Sequence, residues 1–493
     1  MFKLRALSLA ATIAMLLLTC VVAVGQHEGG GGVTSDAATS GDTGRSGIRI
    51  RRAPARAPAA RRPAAPPVRR GLTAEQYNQQ GDTLFNAEQY DEALEAYNKA
   101  VQLKPIGSAF YHIGWIYNER EEYDQAITAL QQALRLTPKY AAAYYELGFA
   151  YRNLKKYDEA LLAYAATITI DPARTKAYYD MGWIYNERKL FAQAVAPLRQ
   201  AVTLQPDYAE AHSELGYTYR KLGRFQEAIG SFRQAISAKP DYANPYFGLG
   251  DVYFYNTSQY PEAINAYGRA LSIQPKNATA NYNIGWSHNE LKQYQQAVAP
   301  LERAIGQKPD YAEAYAELGY AYRKIERFED ALRSYNEAIR LKPDYAQSYF
   351  GLGDLYYYHL SRYQDAITAY QQGLRLKPNN AVANYNIGWS LNDLNRSADA
   401  IAPLREAVRL KPEYAEAFQE LGFAYLHEQR LNEAMASFNE AIRIRPDYGL
   451  AYYNLGLTYL AMRDKRKATE QYRILQRIDR QRADKLFAEI NKR

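Results

Sequence analysis

The side chains in this sequence that are best suited to chemistry are aromatic, amide and charged groups held in fixed pairs. Each of the four tryptophans follows a glycine and precedes an asparagine by three residues. The pairs are Trp115/Asn118, Trp183/Asn186, Trp286/Asn289 and Trp389/Asn392. Residues three apart lie on one face of a helix, so each ring and its amide are expected side by side.

Two further sets have the same spacing. An aromatic ring precedes an arginine in Phe149/Arg152, Tyr217/Arg220 and Tyr320/Arg323, and an aspartate precedes a ring in Asp251/Phe254 and Asp354/Tyr357. Tryptophan, tyrosine and arginine are the side chains that most often dominate binding interfaces. The three sets therefore indicate non-covalent binding of an extended ligand.

Catalytic and metal-binding motifs are missing from the sequence. It has no phosphate-binding P-loop, no HExxH helix and no GxSxG elbow. The Gly-x-Gly triplets at 248–250 and 351–353 fall within predicted helices, which argues against a dinucleotide loop. The histidines of the repeats have no ligand spacing, and they are His112, His212, His288, His359 and His427. We therefore expect no enzyme activity, cofactor or metal; Asp251 and Asp354, the only candidate catalytic carboxylates, belong to separate segments 103 residues apart.

The net charge of +8 is confined to the beginning of the chain. Residues 1–71 contain eleven Lys/Arg and three acidic residues, whereas residues 72–493 contain 50 of each sign. Binding to a phosphate backbone requires a clustered positive surface. The balanced part of the chain is thus not expected to bind nucleic acid.

From residue 72 onward the sequence repeats. Prolines recur at intervals of 33 to 35 residues from Pro105 to Pro446. A period near 34 is typical of a solenoid of small helical units. In the unit 310–343, apolar residues follow helical spacing before and after a turn at 325–327. Each unit is predicted to be an antiparallel helix pair, opened by an aspartate such as Asp310 and closed by a proline such as Pro343.

This pattern resembles the tetratricopeptide repeat family. The order of aromatic, Leu-Gly, Tyr, Ala, aromatic, Ala and Pro is met in that unit by Tyr315, Leu318-Gly319, Tyr322, Ala331, Tyr335, Ala338 and Pro343. The resemblance implies an all-α fold, a right-handed superhelical α-solenoid of antiparallel helix pairs. The twelve predicted repeats are 72–105, 106–138, 139–172, 173–206, 207–240, 241–275, 276–309, 310–343, 344–378, 379–412, 413–446 and a degraded 447–480, and residues 481–493 are expected to form a capping helix.

Three kinds of repeat alternate within the array. Trp repeats carry Gly-Trp-x-x-Asn and are 106–138, 173–206, 276–309 and 379–412. Glu repeats carry Glu-Leu-Gly and are 139–172, 207–240, 310–343 and 413–446. Asp repeats carry Gly-Asp and are 72–105, 241–275 and 344–378; in 447–480 the aspartate is replaced by Leu457. The period of about 103 residues indicates duplication of a three-repeat cassette.

The family resemblance places the paired residues in a groove. In tetratricopeptide proteins this face of the first helix lines the concave surface where ligands lie. The implied ligand is a protein or an extended peptide, and a polysaccharide is the alternative that the series of rings leaves open. A purely structural interpretation also stays open, in which each tryptophan only packs on the neighbouring first helix.

The first 71 residues predict export. Two positive charges precede an apolar run at 6–24 that ends in Ala23-Val24-Gly25, as in a secretory signal. The run is also long enough for an uncleaved membrane anchor, so residues 1–25 are a signal peptide or an anchor. Residues 26–71 are predicted to be a linker, because they are rich first in glycine and then in arginine, proline and alanine. The arginines from Arg45 to Arg70 could also contact an anionic membrane or polymer.

The sequence as a whole predicts an exported scaffold with its repeats outside the cytoplasm, in the periplasm, secreted or anchored to a membrane. It would bind protein partners in the groove of the solenoid.

Overall fold

The computed structural model describes residues 72–492, and every regular element within that range is a helix. The helices are α1 Ala74–Asn86, α2 Tyr90–Leu103, α3 Gly107–Glu119, α4 Tyr123–Leu136, α5 Ala141–Asn153, α6 Tyr157–Ile170, α7 Thr175–Glu187, α8 Phe191–Leu204, α9 Ala209–Lys221, α10 Phe225–Ala238, α11 Ala243–Asp251, α12 Tyr260–Ile273, α13 Ala278–Glu290, α14 Tyr294–Gln307, α15 Ala312–Lys324, α16 Phe328–Leu341, α17 Ala346–Tyr358, α18 Tyr363–Leu376, α19 Ala381–Asp393, α20 Ser397–Leu410, α21 Ala415–His427, α22 Leu431–Ile444, α23 Gly449–Ala461, α24 Lys465–Ile478 and α25 Arg480–Lys492. Odd-numbered helices up to α23 are the first helices of the repeats, and even-numbered helices are the second. The predicted all-α solenoid is confirmed.

A glycine on each first helix lets the two helices of a repeat pack closely. A Cβ atom built on Gly182 would lie 2.4 Å from Leu198 on the second helix, and one on Gly250 would lie 2.6 Å from the ring of Tyr267. Leu198 is fully buried and Tyr267 almost so. The glycine therefore makes room for the largest core side chain of its repeat, as expected for close-packed interiors.

Two of the Asp repeats carry an additional glycine two residues earlier, Gly248 or Gly351, which makes room between repeats in the same way. A Cβ atom on Gly248 would lie 2.4 Å from the ring of Phe232, which belongs to the second helix of the preceding repeat. Gly351 stands in the same relation to Tyr335, at 2.5 Å. The two Gly-x-Gly triplets are thus helix-packing positions, in agreement with the prediction that they form no dinucleotide loop.

The turn between the two helices of each repeat depends on one residue in left-handed backbone conformation. In repeat 173–206 this residue is Lys189, with φ of 59°. Its N–H donates to the Asn186 carbonyl, and the next N–H donates to the Tyr185 carbonyl, which closes the end of α7. Across the described repeats only Gly223 fills this position with a glycine.

The longer turn of the Asp repeats alters the end of the first helix. In repeat 241–275, α11 continues as a π-helix over Val252–Asn256. A π-helical turn takes up one extra residue without breaking the helix. It also places Phe254 in the core and Tyr255 at the surface.

The predicted aspartate start of the first helices is wrong. Helix α15 begins at Ala312, its N-cap residue is Tyr311, and no side chain caps it. Among the first helices only those after Thr73, Asn277 and Asn380 receive a side-chain cap. Asp310 lies in the preceding turn. Tyr311 contacts the preceding repeat, since the Lys308 ammonium lies 4.7 Å from its ring. Packing between repeats therefore takes the place of side-chain capping.

The last helix, α25, covers the end of the array. Its apolar residues Ala483, Leu486 and Ile490 are buried against α23 and α24. A Cβ atom on Gly456 would lie 2.5 Å from Leu486, so α25 fills the space that a second helix fills elsewhere. A polar-faced terminal helix is what a solenoid needs to close its core.

Residues 1–71 lie outside the described residues, and with them the predicted signal or anchor and the arginine-rich linker. Of the helices in residues 72–492, none combines the length and the apolar character that crossing a bilayer requires.

Candidate functional site

The four tryptophans lie on the first helices, half-buried, with one part of each ring packed on the preceding repeat. The Trp286 ring lies 4.8 Å from Phe254 and 5.5 Å from Tyr260, both at steep interplanar angles. Trp115 meets Phe85 and Tyr90, and Trp389 meets Tyr357, in the same way. Each tryptophan is thus both a packing residue and a partly exposed ring.

The asparagines are buried and hold the next first helix. The Nδ2 group of Asn289 donates to the Glu317 carbonyl at 3.1 Å and to its Oε2 atom at 2.9 Å. The same two hydrogen bonds join Asn118 to Glu146, Asn186 to Glu214 and Asn392 to Glu420. The separation is 28 residues in all four pairs. This contact between a Trp repeat and the following Glu repeat recurs throughout the array.

The glutamates of these contacts have an unusual electrostatic environment. Burial raises the pKa of Glu214, Glu317 and Glu420 to about 7, against a smaller lowering by the asparagine hydrogen bond. The negative charge of a second acid, at the end of the preceding first helix, raises each pKa further. The second acids are Glu187, Glu290 and Asp393. We call the three pairs Glu187/Glu214, Glu290/Glu317 and Asp393/Glu420 the acidic junctions.

The remaining amide oxygen of the asparagine differs between contacts. Asn186 Oδ1 accepts from Thr218 Oγ at 2.8 Å. The Oδ1 atoms of Asn118, Asn289 and Asn392 are buried and have no hydrogen-bond partner among the described residues. Alanine stands in the other Glu repeats where repeat 207–240 has Thr218. The Thr218 hydroxyl is therefore what gives the asparagine Oδ1 atom a hydrogen bond in one of the four Asn–Glu contacts and not in the other three.

The predicted arginines and aspartates meet each other across the next boundary. Arg220 forms an ion pair with Asp251 at 3.3 Å, and Arg323 does so with Asp354 at the same distance. Each aspartate also accepts from a core tyrosine: Tyr267 Oη donates to Asp251 at 2.7 Å. These carboxylates are therefore ion-paired and hydrogen-bonded within the chain.

Arg152, the first arginine of the set, pairs with an aspartate at a different position of the next first helix. Arg152 is followed by a Trp repeat, in which Trp183 stands where an Asp repeat has its aspartate. The partner of Arg152 is instead Asp180, one helical turn earlier, which also accepts from Tyr145 at 3.1 Å. Both charged side chains are almost fully buried. We call Arg152/Asp180, Arg220/Asp251 and Arg323/Asp354 the paired junctions.

Between repeats 413–446 and 447–480, both members of the ion pair are replaced together. In repeat 413–446 the arginine position holds Leu426, and in repeat 447–480 the aspartate position holds Leu457. A lone buried charge is costly, whereas replacing both partners by apolar groups can be neutral. The paired junctions are therefore structural contacts between repeats.

The rings that accompany the arginines contact them as predicted by their spacing. The guanidinium carbon lies 5.3 Å from the Phe149 ring, 5.9 Å from Tyr217 and 5.5 Å from Tyr320. Arg152 lies also 5.2 Å from the Trp183 ring. These are cation–π distances, so part of the predicted binding chemistry is used within the protein.

Sequence reasoning missed several residues of this face. The four glutamates of the Asn–Glu contacts served only to mark a kind of repeat, and Asp180 was not considered. The constant 28-residue separation of asparagine and glutamate was the available signal. Two tyrosines at the ends of first helices, Tyr255 and Tyr358, were also missed, although they are 49% and 51% exposed. Their hydroxyls donate to the amide oxygens of Asn283 and Asn386 at 3.2 Å.

Comparison with protein families identifies the repeats. Profiles described as "TPR repeat" match residues 114–155, 182–223, 216–256 and 426–462, and profiles described as "Tetratricopeptide repeat" match 74–105, 141–174, 247–312, 316–381, 381–414 and 450–482. Together they span most of the described residues. None of the curated proteins matches the chain.

Solved structures similar to this chain include three repeat proteins. YrrB, described as a tetratricopeptide protein with an unusual peptide-binding site, is 27% identical, with a TM-score of 0.36, over 38% of this chain and 97% of its own. The Cut9–Hcn1 complex of APC/C is 16% identical, with a TM-score of 0.33, over 82% and 86%. Yeast Tom70 is 16% identical, with a TM-score of 0.32, over 80% and 96%.

Proposed function

We propose that this chain, which belongs to the tetratricopeptide repeat family, is an exported scaffold that holds protein partners as extended segments along its first helices. The repeats are a helical scaffold for protein interaction. Export rests on residues 1–25 alone, whose sequence has the layout of a secretory signal.

The observation that carries the proposal is the series of partly exposed rings on the first helices. Tyr255 and Tyr358 are about half exposed, and Trp286 and Trp389 are half-buried on neighbouring first helices. Large rings with a polar tip are common in interfaces because one end stays apolar and the other stays wet. Their recurrence every three repeats suits a long partner more than a compact ligand.

Polysaccharide binding is the second candidate, and the packing of the tryptophans weighs against it. A sugar stacks on an open ring face, whereas each tryptophan has at least one ring of the preceding repeat against it. Arg152 also covers part of Trp183. The partly exposed tyrosines are better placed for polar and apolar contacts with a peptide chain.

Affinity capture with the full chain tests the proposal. Tyr255→Ser with Tyr358→Ser removes the two exposed rings of the first helices. Leu136→Ser with Leu162→Ser is the matched control, since these second-helix leucines are 46% and 63% exposed. We expect specific proteins captured from native extract to be lost with the tyrosine variant and kept with the leucine variant. Loss with neither variant, or equal loss with both, would contradict binding along the first helices.

Treatment of the extract separates the two candidates. Capture that is abolished by prior protease digestion identifies a protein partner. Capture that survives protease but is lost after glycan digestion would replace the proposal by its alternative.

A further inference from the structure

The helices α24 and α25 differ in charge from the rest of the array. Residues 465–492, which span these two helices, contain nine basic and four acidic residues, whereas residues 72–464 contain 40 and 46. Five of the basic side chains are exposed and form no ion pair among the described residues: Lys465, Arg473, Arg477, Arg480 and Lys485. These two helices therefore present positive charge that no described residue neutralises.

One position of α24 shows how part of this charge arises. In three earlier second helices, an arginine in the last turn is paired with the glutamate three residues before it. The Nε atoms of these arginines donate at 2.8 Å from Arg340 to Glu337, at 2.7 Å from Arg409 to Glu406, and at 2.8 Å from Arg443 to Glu440. In α24 the arginine is Arg477, and the glutamate is replaced by Ile474, which is 37% exposed. One substitution thus removes the partner of a cation and places an exposed apolar side chain next to it on the helix surface.

Basic residues also open α24, against the electrostatic preference of a helix N-terminus. The positive end of the helix dipole favours acidic residues, such as Glu329 and Asp330 in the first turn of α16. Helix α24 begins instead with Lys-Arg-Lys at 465–467. Of the second helices in residues 72–492, no other has a lysine or arginine among its first three residues. The stability of α24 itself therefore does not account for these residues.

Exposed apolar side chains accompany the basic residues. Ile478 lies one turn after Ile474 and is 38% exposed, and Phe487 on α25 is 49% exposed. The Phe487 ring lies 5.1 Å from Tyr472 of α24. A terminal helix that only caps a solenoid needs a polar outer face. Aliphatic and aromatic side chains among arginines and lysines are typical of helices that lie in the headgroup region of an anionic membrane.

We propose that α24 and α25 bind the surface of an anionic lipid membrane, with Arg473 and Arg477 on the headgroups and Ile474 beside them at the acyl boundary. Unpaired cations select a negatively charged surface. The exposed isoleucines favour lipid over a purely polar polyanion. Such binding is peripheral and does not require a helix that crosses the bilayer. The inference goes beyond the proposed function and does not depend on it.

The test uses the full chain with Cys20→Ser and one nitrobenzoxadiazole label, attached to a cysteine introduced by Ile474→Cys. This fluorophore brightens when it passes from water into lipid. The control carries the label at Gln234→Cys, an exposed residue at the same position of α10. The probe is a vesicle of equal parts phosphatidylglycerol and phosphatidylcholine, and a vesicle of phosphatidylcholine alone removes its charge. Because the label reports on its own surroundings, vesicle contact made elsewhere in the chain does not raise the signal at position 474.

We expect the label at position 474 to brighten with the anionic vesicles, and to change little with phosphatidylcholine vesicles or at position 234. Arg473→Gln with Arg477→Gln should reduce the increase at position 474 by at least about threefold, since each basic residue near an anionic surface contributes to binding. Arg405→Gln with Arg409→Gln changes the same two positions of α20 and should leave the increase unchanged. Circular dichroism checks that both double variants are folded.

No increase at position 474 with anionic vesicles would overturn the inference, and so would an equal loss of signal in the two double variants. An equal increase with both kinds of vesicle would also overturn it, because charge would then play no part. If lipid-free native extract brightens the label and vesicles do not, the occupant is a protein and the inference is wrong. None of these outcomes bears on the capture of proteins along the first helices, which is tested separately through Tyr255 and Tyr358.

Discussion

The acidic and the paired junctions occupy equivalent places between consecutive first helices, yet they solve the problem of a buried carboxylate in opposite ways. At a paired junction, an arginine and a core tyrosine supply charge and hydrogen bonds to Asp251. At an acidic junction, Glu317 receives only a neutral amide and has another acid as its charged neighbour. The paired junctions contain their own cation, whereas among the described residues the acidic junctions are held by an amide and keep the glutamate pKa near 7.

This difference shows how one position of a duplicated cassette makes two kinds of contact between repeats. The same position of the first helix holds Asn289 in a Trp repeat and Arg323 in a Glu repeat. Both side chains reach forward to the next first helix. The asparagine is a neutral donor to Glu317, two residues before Gly319, whereas the arginine is a cation paired with Asp354, which directly follows Gly353.

The largest effect is expected from breaking a paired junction on one side. Arg152→Leu leaves Asp180 buried without its cation, which should lower the free energy of unfolding by about 3 to 5 kcal/mol. Adding Asp180→Asn, which copies Asn283 and Asn386 at the same place in other Trp repeats, should recover most of the loss. Urea unfolding followed by circular dichroism measures both. If the double variant is as unstable as the single one, the instability of Arg152→Leu does not come from the unpaired charge of Asp180.

A second prediction concerns pH and the acidic junctions. The pKa of Glu317 is about 7 in the folded chain against an ordinary value of 4.5. Since the folded value is the higher one, this glutamate stabilises the fold most below about pH 4.5, and the stabilisation is lost as the pH rises through about 7. Glu317→Gln should therefore raise the free energy of unfolding at pH 8, by on the order of 1 to 2 kcal/mol after allowance for its partial exposure.

The control for that prediction is Glu329→Gln, an exposed glutamate on a second helix. The other ionisable groups around Glu317 are Glu290, which shares its junction, and four tyrosine hydroxyls. Burial raises the pKa of each tyrosine, so they stay neutral over this range; they are Tyr282, Tyr320, Tyr335 and Tyr345. Thermal unfolding at pH 5 and pH 8 gives the comparison. Identical pH dependence in the two variants would contradict the account of Glu317.

The smallest effect sharpens the comparison within the Asn–Glu contacts themselves. Thr218→Ala removes the hydroxyl that satisfies Asn186 Oδ1, and should cost about 1 to 2 kcal/mol. Thr218→Ser keeps the hydroxyl and should cost less than the alanine variant. Urea unfolding of the two variants gives their free energies of unfolding. If the alanine variant is as stable as the serine variant, the hydrogen bond from Thr218 contributes nothing to stability.

The fold followed from the sequence because a 34-residue period with Gly319, Ala331 and Pro343 in fixed places admits few arrangements other than packed helix pairs. The start of the first helices did not follow. Asp310 has the side chain of a good helix cap, but the contact between repeats draws Tyr311 into that position. Local preference was outweighed by packing.

The shared helical face of the paired residues was predictable from the sequence, whereas the contacts between repeats were not. Spacing within one helix placed Trp286 with Asn289 and Tyr320 with Arg323. The contact of Asn289 with Glu317 joins two repeats and depends on how far one first helix is shifted against the next, which no local pattern records. Residues such as Glu317 become visible as a site only when that shift is known.

The most direct test of the central claim, that partners lie along the first helices, is site-specific photo-crosslinking in the full chain. A benzophenone amino acid in place of Tyr358, which is 51% exposed, reports on the first helices, and one in place of Leu162, which is 63% exposed, reports on the second. We expect cross-links to a defined protein from position 358 and none from position 162. Cross-links to the same protein from position 162 but not from position 358 would contradict it.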